Sequence, residues 1–78
     1  MSTLAVEHTP LATNVTFTLD EMVVALADGR RLAVPLAWFP RLAKATQSQL
    51  HHYELLGDGE GIHWPDLDED LSVRGLLR

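Results

Sequence analysis

The spacing of apolar and polar positions changes twice along the chain, and each change marks a new kind of element. From Ala12 to Thr18, Val15 and Phe17 fall on one side, while Asn14, Thr16 and Thr18 fall on the other. That period of two, carried partly by β-branched residues, predicts a strand. Leu19-Asp20-Glu21 breaks it, and residues 22–27 form a second apolar, β-rich run. Asp28-Gly29 follows, a dipeptide suited to the left-handed backbone of a tight hairpin turn. Residues 30–34 are the predicted return strand, with Leu32 and Val34 on one face and Arg31 on the other. Pro35 has no N–H for a ladder and ends it.

From Leu36 the period lengthens. Leu36, Phe39, Leu42 and Ala43 recur at helical spacing. Pro40 disfavours helix at the preceding Phe39, which predicts a tight turn and a helix starting near Pro40. Thr46 and Gln49 have the spacing of a capping box, opening a second short helix to about His52. Residues 53–56 read as a short strand. Gly57-Asp58-Gly59-Glu60-Gly61 reads as a loop, because alternate glycines disfavour regular structure. Ile62-His63-Trp64 forms a brief strand that Pro65 ends. Asp66 to Asp70 is an acidic stretch, and Ser72 caps a closing helical turn through Leu77. Residues 1–11 read as a tail or edge strand, and residues 12–78 as one domain. Strands first and helices later predict an α+β fold: a small antiparallel sheet with an N-terminal hairpin, packed by two short helices.

Length and charge narrow the function classes. A chain of 78 residues buries only about 60% of its extended surface, so its stability margin is thin. A homodimer would be a natural remedy. There is no cysteine, so neither a disulfide framework nor a cysteine zinc site is available. The net charge is −5, a sign that opposes direct nucleic-acid binding and suits a basic protein partner. No signal-peptide pattern or bilayer-length apolar run is present, so the expected setting is the cytoplasm of a bacterial cell, without membrane contact.

The candidate site is the segment Gly61 to Asp70. Six of the eleven acidic residues fall between positions 58 and 70: Asp58, Glu60, Asp66, Asp68, Glu69 and Asp70. Trp64 and His63 sit among them. An aromatic anchor ringed by carboxylates is a recognition pattern, since aromatics dominate binding hot spots and charge steers a basic partner. The competing structural reading puts Trp64 in the core beneath a solvated acidic loop. Asp66, Asp68 and Asp70 alternate as calcium ligands do, but the central glycine and closing glutamate of a calcium loop are missing. His51 and His52 are adjacent and diverge on a helix, so a shared metal is disfavoured. None of Ser2, Ser48 and Ser72 lies in a nucleophile turn. The glycine loop lacks the lysine and helix of a phosphate cradle. Arg30, Arg31, Arg41 and Lys44 read as ordinary solvated positions.

Four blocks together carry a family resemblance: Leu26-Ala27-Asp28-Gly29-Arg30, Val34-Pro35-Leu36-Ala37-Trp38-Phe39-Pro40-Arg41-Leu42, Tyr53-Glu54-Leu55, and Gly61-Ile62-His63-Trp64-Pro65-Asp66-Leu67-Asp68-Glu69-Asp70-Leu71-Ser72-Val73-Arg74-Gly75-Leu76-Leu77. This pattern resembles the small bacterial family called domain of unknown function 2442, from about Ala12 onward. The resemblance implies an α+β domain of this size. It also implies a protein encoded beside another small protein, the two suspected of forming a toxin–antitoxin pair. Some longer members of the family carry a DNA-binding helix-turn-helix after this domain, an extension not expected in these 78 residues. It supplies no catalytic residues.

The combined expectation is a non-catalytic, antitoxin-like interaction module that binds a cognate basic protein and needs no cofactor. Trp38, Phe39, His63, Trp64, Asp66, Asp68, Glu69 and Asp70 are the expected partner-binding residues. Two alternatives stand beside it. One is a metal-dependent or acid–base enzyme using His63 and Asp66. The other is a regulatory subunit acting on DNA with a partner.

Overall fold

Alternation at the start of the chain does produce strands. The computed structural model of the protein describes residues 10–77, so most of the proposed tail, residues 1–9, lies outside the described residues. Strands β1 (Ala12–Phe17), β2 (Glu21–Leu26) and β3 (Arg31–Pro35) form an antiparallel meander in that order. The Asp28-Gly29 turn joins β2 to β3, with Gly29 at φ +96° and its N–H donating to the Leu26 carbonyl at 3.0 Å. Asp28 accepts from the Arg30 N–H at 3.0 Å and pairs with the Arg30 guanidinium at 2.7 Å, so turn chemistry and side chains agree. Between β1 and β2, the Thr18 hydroxyl accepts from the Glu21 N–H at 3.0 Å.

A short 3-10 turn (Leu36–Trp38) leads into α1 (Pro40–Ala43), which starts at the proline. Helix α2 (Gln47–His51) opens with the predicted capping box: the Gln49 N–H donates to the Thr46 hydroxyl at 3.1 Å and the Thr46 N–H to the Gln49 side chain at 3.0 Å. A second antiparallel sheet follows, β4 (Glu54–Leu56), β5 (Gly61–Trp64) and β6 (Glu69–Ser72), again in sequence order. Helix α3 (Val73–Leu76) closes the described chain, with the Ser72 hydroxyl accepting from the Gly75 N–H at 3.2 Å.

The α+β class expected from the pattern is the class found, with its strands divided into two sheets rather than one and with three short helices. The element that the sequence reading lacked is β6. Its residues Glu69 and Asp70 belong to the run that reads only as acidic. The strand is short and only one of its faces is covered, so Leu71 is its sole apolar residue. Four residues with one apolar position leave almost no period to detect.

The buried side chains form one cluster drawn from both sheets and from the helices, including Met22, Val24, Leu42, Leu50, Ile62, Trp64 and Val73. Polar bonds also tie the sheets together. The Ala12 N–H donates to the Gly59 carbonyl at 2.7 Å, and the Val15 N–H donates to the Tyr53 hydroxyl at 3.0 Å. That hydroxyl donates in turn to the Asn14 side chain at 3.0 Å.

Candidate functional site

Pairing in the second sheet sorts the segment Gly61 to Asp70 into two faces. Ile62 pairs with Leu71 and Trp64 with Glu69, whereas Gly61 pairs with Ser72 and His63 with Asp70. Successive strand residues alternate faces. Ile62 and Trp64 therefore point into the core, while His63, Asp70 and Ser72 lie on the outer face.

Trp64 is fully buried, and its indole N–H donates to the Leu50 carbonyl at 3.0 Å. It cannot anchor a partner from there, which corrects its place among the surface residues. A buried indole needs a hydrogen-bond acceptor, and the end of α2 provides one. Phe39 is half-buried and packs against the core. Trp38 is the aromatic that faces solvent, with 66% of its surface exposed.

The carboxylates do not form one patch. Asp66 bonds to the His52 ring at 2.8 Å. This hydrogen bond raises the His52 pKa above its ordinary value of 6.5, helped by the charge of the same carboxylate and by Glu54, with slight desolvation opposing. Asp70 bonds to His63 across the strands. That contact follows from the ladder, since residues opposite each other between hydrogen-bonded pairs bring their side chains closest. Glu69 lies 3.9 Å from the Arg41 guanidinium, which also donates to the Asp68 carbonyl at 2.6 Å. Asp68 sits in the β5–β6 turn at φ +51°. Arg41 thus fastens this turn to α1. His63 and Asp66, the pair proposed for an enzyme, have different partners, Asp70 and His52. Among the described residues, no group of three or more histidine or carboxylate side chains is gathered as a metal site. No helix among them is long and apolar enough to cross a membrane.

Among the described residues, two surface grooves touch Asp70, Leu71 and Ser72 of β6 together, and a smaller hollow touches Ser72 beside Pro10 and Arg74. One, of about 460 Å³, runs over the outer face of the sheet past Leu56, Glu60 and Gly61. The other, of about 280 Å³, is walled by Trp38, Phe39, Gly75 and Leu76. Three of the expected partner-binding residues, Trp38, Phe39 and Asp70, meet at this second groove. The sequence reading missed the contributions of Leu71 and Leu76. Their apolar character was visible, but no spacing links positions 38 and 76.

Residues 12–78 match the family described as "Protein of unknown function (DUF2442)", and the chain belongs to that family. It is similar to the crystal structure of a protein of unknown function from Rhodospirillum rubrum, at 35% identity and a TM-score of 0.77, over 90% of this chain and 87% of that one. It is also similar to the solution structure of an uncharacterized protein from Chromobacterium violaceum, at 29% identity and a TM-score of 0.72, over 86% of this chain and 63% of that one. A comparison with curated proteins finds no match.

Proposed function

Taking membership of that family as the premise, we propose that this chain is a non-catalytic, antitoxin-like interaction module that binds a basic protein partner. Its docking surface is the groove between Trp38 and β6. One observation carries the reading: Trp38 leaves 66% of its surface in solvent beside an apolar groove. Exposed aromatics at the edge of an apolar hollow are what binding hot spots are made of. A small domain with a thin stability margin gains nothing for its own fold from an indole held in water.

Charge supports the choice of partner. The polar side chains of the groove are Asp70 and Ser72, with no lysine or arginine among its lining. The whole chain carries −5. A basic partner would be steered to such a surface, with a faster encounter at low salt.

The test is co-expression with any small basic protein encoded beside this one. The wild-type chain should co-purify with it and relieve any growth arrest that the neighbour causes. Trp38→Ala should leave the melting temperature unchanged and weaken binding about thirtyfold, the size of a 2 kcal/mol hot spot. A neighbour that never forms a stable complex, or one that ignores Trp38→Ala, contradicts the proposal.

A further inference from the structure

Strand β6 is an edge. Among the described residues it pairs with β5 on one side and with no strand on the other. The direction of its backbone groups follows from the ladder. The Val73 N–H donates to the Glu60 carbonyl at 3.0 Å. Antiparallel pairs alternate between hydrogen-bonded and non-bonded. Counting back along the register, Leu71 and Glu69 bond to β5, while His63–Asp70 and Gly61–Ser72 are the non-bonded pairs. The N–H groups of Asp70 and Ser72 therefore point away from β5. These are also two of the three residues shared by both grooves.

From this we infer that the partner engages β6 by strand addition: an extended segment, alternating basic and aliphatic side chains, pairs with the outward backbone groups of Asp70 and Ser72. The inference rests on the docking surface proposed above and specifies its mode. Strand addition draws affinity from main-chain hydrogen bonds and specificity from alternate side chains. Here the aliphatic positions drop toward Trp38, Phe39 and Leu76. The basic positions meet Asp70, whose carboxylate also holds the His63 ring, and, across the sheet face, Glu60. A second copy of this chain is the poorer occupant. Antiparallel β6–β6 pairing brings two acidic strands together, and like charges facing each other across strands are destabilising.

The probe is a synthetic peptide, acetyl-Lys-Val-Lys-Val-Lys-Val-amide, titrated into the isotope-labelled full chain and followed by backbone amide NMR. The Asp70 and Ser72 amides should shift and gain exchange protection, together with the Trp38 indole signal. The matching Glu-Val peptide should not bind. Two N-methylated versions decide the mode, one blocked at the valines and one at the lysines. An added strand turns only one set of amides toward β6, so one version should lose at least about tenfold in affinity and the other should retain it. Equal behaviour of the two versions, or shifts that spare Asp70 and Ser72, overturns strand addition. Concentration-dependent shifts of those amides without peptide would assign the edge to a second copy and overturn it too. A neighbour-encoded protein that needs Trp38 but leaves both amides unmoved overturns strand addition while leaving the interaction module standing.

Discussion

Trp64 donates its indole N–H to Leu50 in a fully buried setting, while Trp38 stands mostly in water. The same side chain therefore has opposite consequences when removed. Trp64→Phe strands the Leu50 carbonyl and leaves a void, which should cost about 1–3 kcal/mol. For a domain this small, that is a melting-temperature drop of several degrees by calorimetry. Trp38→Ala should leave the melting temperature within about 1 °C, because surface changes away from structural features are nearly neutral. His52 gives a second residue-scale test. Its bond to Asp66 raises its pKa above 6.5, so proton NMR should find it titrating above that value, and Asp66→Asn should bring it back down. The sign for stability follows. The raised pKa means the pair's contribution is present below the unfolded value and fades as pH rises through the folded one. His52 is an exposed group, so this contribution is small.

At the scale of elements, Gly59 holds the two sheets at close range. At φ +108°, its hydrogen faces the Ala12 backbone, and a Cβ there would lie 2.2 Å from the Ala12 carbonyl oxygen. Gly59→Ala must break the bond from the Ala12 N–H and should cost about 2 kcal/mol or more in chemical denaturation. The loop of alternate glycines was legible in the sequence, but the backbone it touches was not. The same limit applies to β1. Period-two alternation correctly set Val15 inward and Asn14 outward, and by extension would put Ala12 outward too. The irregular register between Ala12 and Asn14 returns Ala12 to the core. An extra residue in one strand reverses every face beyond it, and no local pattern marks where it falls. The hairpin turn, the Pro40 helix start and the Thr46 cap were readable because each depends on residues within a few positions. The groove beside β6 was not, because Trp38 and Leu76 meet only once both sheets have formed.

For the molecule as a whole, the acidic charge is arranged rather than massed. Asp66, Glu69 and Asp70 have internal partners in His52, Arg41 and His63. The turn from Asp66 to Asp68 thus serves mainly to fasten the second sheet to the helices. Among the described residues, large apolar side chains stand exposed at Leu19, Trp38, Leu56 and Leu77, and of these Trp38 walls the apolar groove with Phe39 and Leu76. Titration calorimetry of the purified chain with a basic protein partner found by co-expression tests the proposed docking surface most directly, comparing Trp38→Ala with Asp68→Asn. The account predicts affinity about thirtyfold weaker for Trp38→Ala and within about threefold of wild type for the exposed Asp68→Asn. Unchanged affinity for Trp38→Ala with a large loss for Asp68→Asn would contradict it and return the docking surface to the acidic turn.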